Sequence, residues 1–269
     1  YSPKTINNYE HALVRLSKYH NKSPLYLTTE NIEDYIQYAL EVEQLAPTTV
    51  NLHIGAFGKF YNLMVPNSTV MDPISKVKEH KKLPTVLAAK EIAGMASCTN
   101  NLKHRSIIEL LYSSGVRLSE LVDLRPLDID GTNKLVHVKC GKGSKERYTI
   151  ISAQALHTLR QYYCMYRPKV YLFEGTKHEQ YHKRSVDKVV KAAAKRTGIK
   201  KNVTPHTLRH SLATHLLEQN VNLRTIQKLL GHSNIKSTTI YTHVSTMTIA
   251  NINNPLDLVA TPDKNGREI

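Results

Sequence analysis

The run His206-Thr207-Leu208-Arg209-His210 carries two residue types that can grip a phosphate. On a helix, residues three apart share a face, so His206 and Arg209 project together. Zinc competes for the same histidines, because His206 and His210 stand four apart. No Glu follows His206, however, and no third ligand is evident among His206, His210 and His215, which argues against a metal. In Gly115-Val116-Arg117-Leu118-Ser119-Glu120 an arginine follows a glycine break at a helix start. There its fork can meet an anion near the helix's positive end, and Glu120 can orient Arg117. Gly141-Lys142-Gly143 places a lysine at a turn between two strand-like runs. Such a lysine can hydrogen bond in a groove or donate a proton to a leaving alkoxide. It is no P-loop, since it joins strand to strand. Last come Leu229 to Ser233 and Thr239 to His243, which surround His232 and Tyr241 with donors. A phenol of reference pKa about 10 becomes a nucleophile only with help in losing its proton and strong stabilisation of a pentacoordinate phosphate. Taken singly, each feature has a bland competitor: a solvated helix face, a surface ion pair, a turn lysine, a core tyrosine.

These residues need elements to hold them. Apolar spacings of three and four predict helices over Thr5 to Tyr19, after an N-cap at Thr29, and from Pro47 through Val50, Ile54, Phe57, Tyr61 and Met64. A short fourth helix is expected around Ile74 to Val77, giving a small bundle. Further on, Leu102 to Tyr112 reads as a helix broken at Ser113-Ser114-Gly115, with another from Leu118 to Leu124. Lys134 to Lys139 alternates with period two, and Arg147 to Ile151 reads as the return strand of a hairpin. Helices follow at Ala153 to Tyr166, Ser185 to Arg196, Pro205 to Gln219 and Leu223 to Leu230, with a short one near Ser237 to Tyr241. Thr204-Pro205 reads as a cap followed by a first-turn proline.

The 269 residues carry 37 Lys/Arg and 22 Asp/Glu, a formal charge of +15, which suits a polyanionic partner better than a neutral metabolite. The excess is lopsided: residues 1–84 hold 9 basic and 8 acidic side chains, residues 85–269 hold 28 and 14. The break falls near His80-Lys81-Lys82-Leu83-Pro84, a basic stretch closed by proline that reads as a linker. No window of about 18 apolar residues exists and no secretory leader is visible, so no membrane association is expected. Cys98, Cys140 and Cys164 lie far apart, which fits a reducing cytosol rather than a disulfide scaffold.

Arg117, Lys142, His206-x-x-Arg209, His232 and Tyr241, in that order and spacing, resemble the tyrosine recombinases of the lambda-integrase family. The segments GVRLSEL, GKGSKER, HTLRHSLATHLLE and IQKLLGHSNIKSTTIYTHV resemble its Xer and integrase members, and the likeness covers almost the whole chain. The resemblance implies a mainly α fold with a small β-hairpin (α+β), arranged as a two-domain C-shaped clamp on duplex DNA. Residues 1–80 would be a helical, SAM-like core-binding domain, 81–86 the linker, and 87–269 the catalytic domain with a trans-docking tail from about 245. It implies that Arg117 and Arg209 clamp the scissile phosphate and that His206 assists as acid or base. His232 would be a further donor, Lys142 would protonate the 5′-hydroxyl, and Tyr241 would attack to give a 3′-phosphotyrosyl link. Glu120 would brace Arg117. No metal or other cofactor is expected.

The same likeness makes Thr49, Asn51, His53 and Lys59 candidate DNA contacts from the first domain, and Lys145 and Arg147 from the hairpin. It implies a homotetramer on two duplexes with cyclic exchange of C-terminal segments, working in the nucleoid of the cytoplasm. The apolar positions Ile249, Ile252, Leu256 and Val259 fit such a segment. Two alternatives share parts of the pattern: a type IB topoisomerase-like enzyme, and a DNA-binding regulator that keeps the fold without cleavage.

Overall fold

The computed structural model describes residues 1–65, 67–79, 83–139 and 146–231. The chain divides into two compact units, Tyr1–Lys82 and Leu83–Ile269.

The first unit is built on helices α1 (Pro3–His20), α2 (Thr29–Glu41) and α3 (Pro47–Met64). Their apolar stripes meet in a core of Leu16, Ile32, Tyr35, Val50, Ile54, Phe57 and Tyr61. Each fully buried aliphatic or aromatic side chain there contributes roughly 1.5–3 kcal/mol. Ile6, near the start of α1, and Met64, at the end of the predicted stripe of α3, are exposed. The cap of α2 is Thr28 rather than the expected Thr29. Thr28 Oγ1 accepts the Asn31 N–H at 3.4 Å, and Asn31 Oδ1 accepts the Thr28 N–H at 3.1 Å. The expected fourth helix around Ile74 to Val77 does not form. Asn51 of α3 takes both backbone groups of Val77: Nδ2 donates to its carbonyl at 2.9 Å and Oδ1 accepts its N–H at 2.8 Å. With its polar groups satisfied by a side chain, this strap packs Ile74 and Val77 on the core without helical bonds.

The second unit centres on α5 (Leu102–Ser114), which packs against α4 (Ala89–Ser97), α7 (Ala153–Tyr166), α8 (Lys183–Arg196) and α9 (Pro205–Glu218). α4 is a helix that apolar periodicity does not announce. Its single apolar turn of Ile92, Met95 and Ala96 is short, and its leading N–H group, that of Ala88, is taken by the Glu91 carboxylate at 2.7 Å. Gly115 ends α5 in the left-handed region (φ +62°), and a Cβ there would lie 2.8 Å from Leu230 Cδ2 and 2.9 Å from Leu212 Cδ2. The chain then reverses into α6 (Leu118–Asp123). An antiparallel sheet follows in the order β1 (Ile129–Asp130), β2 (Leu135–Val138), β3 (Arg147–Ile150), with Val136 opposite Thr149 and Val138 opposite Arg147. Val136 and Val138 face the core; β1, only two residues long and so without a visible alternation, adds a third strand to the expected hairpin. α9 starts as expected: Thr204 Oγ1 accepts the Thr207 N–H at 3.2 Å and Pro205 occupies the first turn. α10 (Leu223–Leu230) packs on α9 and β3 and ends at Gly231, again left-handed (φ +65°).

Candidate active site

Three arginines from three elements converge on the end of α10. Arg147, first residue of β3, donates Nε–H to the Leu229 carbonyl at 2.9 Å. Arg209, one turn into α9, donates to the Leu230 carbonyl at 2.6 Å and to the Gly115 carbonyl at 2.5 Å. Arg117, at the N-cap of α6, donates to the Gly231 carbonyl at 2.7 Å. The last carbonyls of a helix are its negative pole and lack intrahelical partners, so cations belong there. Here consecutive carbonyls each receive one guanidinium, which brings Arg117 and Arg209 together although they stand 92 positions apart.

Glu120 ties this arrangement together. Its Oε1 accepts from Arg117 Nη1 (2.8 Å) and Arg147 Nη1 (2.9 Å); its Oε2 accepts from the Arg117 backbone N–H (2.7 Å) and Arg147 Nη2 (2.7 Å). Burial alone would push this carboxyl up. The Arg147 fork, followed by the Arg117 donors, outweighs burial and holds it at about 2. Glu120 is therefore an anion throughout the physiological range.

Arg209 is 1% exposed, whereas the Arg117 side chain is 36% exposed, so one arginine is a fixed part of the floor and the other opens to solvent. His206 lies one turn before Arg209 and is the exposed residue of an otherwise buried first turn of α9. Surrounding protein pushes its pKa down, and the guanidiniums of Arg209 and then Arg117 push it further. The imidazole is thus neutral near pH 7 and able to accept a proton. Its ring meets that of His210 edge to face, with centroids 4.3 Å apart. His210 is buried more deeply, and desolvation, His206 and Arg209 lower it to about 4. The half-exposed Arg117, the neutral His206 and the positive end of α9 can together receive a phosphate, with the buried Arg209 guanidinium adding positive charge from beneath.

A family profile described as "Phage integrase family" matches residues 79–247, and one described as "Phage integrase, N-terminal SAM-like domain" matches residues 1–68. The chain belongs to the phage integrase family. It is 35% identical over 266 residues to the putative integrase/recombinase y4qK of Sinorhizobium fredii, covering 97% of this chain and 86% of that one. It is 34% identical over 275 residues to the tyrosine recombinase XerD of Rickettsia conorii, covering 91% and 90%. Its fold matches the crystal structure of the XerH site-specific recombinase bound to a palindromic difH substrate, with a TM-score of 0.78 and 22% identity over 91% of this chain and 77% of that one. This member of the family is a site-specific tyrosine recombinase, an enzyme that cleaves and rejoins DNA.

Within this recombinase the structure brings together Arg117, Glu120, His206 and Arg209. Lys142 and Lys145 lie outside the described residues, as do His232, Tyr241 and the segment 245–269. β2 and β3 set the root of the hairpin that carries Lys142, and α10 leads to Gly231, the residue before His232. Arg147 is not a free DNA contact. Its side chain is 8% exposed and its donors are spent on Glu120 and Leu229, because the pleat turns it inward beside buried Thr149. In the first unit, Thr49 is exposed and Lys59 half-buried, with its Nζ over the Tyr1 ring. Asn51 is bonded to Val77 and Glu79, so its amide serves the fold. His53 is 6% exposed, hydrogen-bonded to Tyr35 Oη at 3.3 Å and pushed down by burial. The sequence held the signal: His53 stands three after Val50 and four before Phe57, inside the apolar stripe.

One feature had no assignment from sequence. Arg184, Lys188, Lys191 and Lys195 recur at spacings of four, three and four along the exposed face of α8, opposite buried Val186, Val190 and Ala193. The spacing was legible; what was missing was which face of α8 the core would take.

Proposed function

We propose that this recombinase cuts each strand by attack of the Tyr241 phenolic oxygen on a phosphate held by Arg117 and Arg209. A new O–P bond forms to Tyr241 as the bond to the 5′ oxygen breaks. The phenolic proton passes toward His206, and Lys142 supplies the proton that the 5′ oxygen takes up. His232 donates a further hydrogen bond to the phosphate. The bond energy stays in the 3′-phosphotyrosyl ester, so rejoining is the same step in reverse, and two rounds of exchange pass through a Holliday junction. The single observation that carries this reading is the meeting of Arg117 and Arg209 on adjacent carbonyls beside a neutral His206. Such fixed donors stabilise the charge that grows in the transition state.

The substrate is duplex DNA, in line with the difH complex of the XerH relative. Residues 1–80 act as the core-binding domain of a clamp, 81–86 as its tether and 87–269 as its catalytic half. Thr49 and Lys59, the α8 stripe and Lys145 contact phosphates. Four protomers act on two duplexes, and the segment 245–269 of each docks on its neighbour. The cavity of about 370 Å³ bounded by α4, α5 and α9, with Ile92, Ala96, Leu212 and Leu216 in its lining, offers an apolar seat for Leu256 and Val259 of the next protomer. The enzyme works in the cytoplasm, on the nucleoid.

The test starts with selection of bound duplexes from a random-sequence pool, then a nicked suicide version of the selected site. The wild type should form a covalent adduct that resists denaturation. Tyr241→Phe should bind equally and form none. An adduct that survives Tyr241→Phe would sink the assignment. Relaxation of supercoils without exchange between two sites would favour a topoisomerase-like enzyme, and tight binding without any adduct a regulator.

A further inference from the structure

Arg147 is five residues from Lys142, on the strand that returns from the hairpin tip, yet its guanidinium is committed to other parts of the site. It forms a two-pronged pair with Glu120 and a third bond to the Leu229 carbonyl. Glu120 in turn spends its remaining bonds on Arg117. The C-terminal turn of α10 also rests on the arginine stem: a Cβ on Gly231 would lie 2.8 Å from Arg147 Cδ and 2.9 Å from its Nε. One side chain therefore touches the root of the hairpin, the carboxylate that orients Arg117, and the residue before His232.

We propose that Arg147 is a positioning residue that makes the seating of the β2–β3 hairpin and the orientation of Arg117 a single event, acting through Glu120 and not through DNA. The pair is charge-assisted and nearly dry, so sliding β3 without moving Glu120 would strand both charges. α6, β3 and the end of α10 therefore shift together or stay together. A displacement of β3 therefore leaves Arg117 misaligned, and β3 in its place holds Arg117 toward the phosphate. This inference rests on the reading of Arg117 as a phosphate clamp.

The full-length protein and the selected nicked duplex provide the test, with binding measured across salt and cleavage measured in single turnover at saturating protein. Arg147→Ala should bind within about threefold of wild type with an unchanged salt slope, while cleavage falls at least 30-fold. Glu120→Gln should cleave slowly too, and the double variant no more slowly than the worse single, since both act through one node. Arg147→Lys keeps the cation without the fork; it should cleave at an intermediate rate, and it stands in if Arg147→Ala does not fold. The proposal is overturned if Arg147→Ala cleaves within threefold of wild type, or if the two losses multiply. It is also overturned if the defect lies in binding with a salt slope reduced by about one, the sign of a lost phosphate contact. Arg117→Ala separates the two readings: normal cleavage by that variant removes the clamp itself, whereas its failure beside a normal Arg147→Ala removes only the role of Arg147.

Discussion

Glu120 and Glu174 lie in the same unit and both are held at about 2, but their partners differ in kind. Burial would push Glu174 up; the His178 ring and the backbone N–H groups of Val170, Lys169 and Tyr171 outweigh it. Those donors come from within five residues, so this carboxylate closes its own loop. Glu120 instead draws on two arginine side chains, one of them 27 residues away across the fold. Backbone donors fix a loop once. Side-chain donors from separate elements make a joint whose members can be displaced, and the candidate site is built on the second kind.

The largest effect should come from the two arginines of the proposed clamp. Arg117→Ala or Arg209→Ala should slow single-turnover cleavage by about 10²–10³-fold, as expected for lost transition-state donors. Arg209→Ala should in addition lower the thermal midpoint, because it strips the Gly115 and Leu230 carbonyls of a buried partner. Near-normal cleavage by either would contradict the clamp.

Next, the two carboxylates should part company. Glu120→Gln should impair cleavage more than folding. Glu174→Gln should lower stability by about 1–3 kcal/mol in urea titration while saturated cleavage stays within a few-fold of wild type. Equal effects on both readouts would erase the distinction.

Gly231→Ala should be felt in the joint as well. An L side chain at φ +65° costs roughly 1 kcal/mol, and its Cβ meets the Arg147 stem. Loss of stability together with slower cleavage is expected, and a purely thermal effect would show that the α10 terminus does not communicate with the site.

Acid should act on both carboxylates by the same sign. Each is depressed from 4.5 to about 2, so its contribution is complete above pH 4.5 and is lost as pH falls through that value toward 2. His210, lowered from 6.5 to about 4, binds its proton more readily when unfolded, so stability should already decline between pH 6.5 and 4. Urea titrations at pH 7, 5 and 3 should show both phases. His210→Phe should reduce only the first, in which His53, His104 and His206, also pushed down, share, and Glu174→Gln should reduce only the second.

The smallest effect concerns the first unit. Lys59→Ala should lower the salt slope of DNA binding by about one, while His53→Ala should leave the slope alone and cost about 1–3 kcal/mol of folding. The reverse result would restore His53 as a contact.

Helix positions and the order of chemical groups were legible in the sequence because they rest on local physics. Stripes at three and four placed α1 to α3 and α5, the Thr204-Pro205 pair placed the start of α9, and the glycine after Ser114 placed a helix end. The residue types from Arg117 to Tyr241 named the chemistry. What sequence could not decide was the direction in which polar side chains face. Arg147 looked like a hairpin contact. In the fold Tyr148 is 59% exposed and Arg147 points inward with Thr149. The partners that make this possible, Glu120 and Leu229, are 27 and 82 positions away. A buried guanidinium is tolerated only where carboxylate and carbonyl oxygens satisfy it, and only tertiary packing brings them there. The same logic turned Asn51 toward Val77 and drew Arg209 to two carbonyls from distant segments. Periodicity dictated which elements form; the supply of distant hydrogen-bond partners decided which polar residues became structure and which remained free to act.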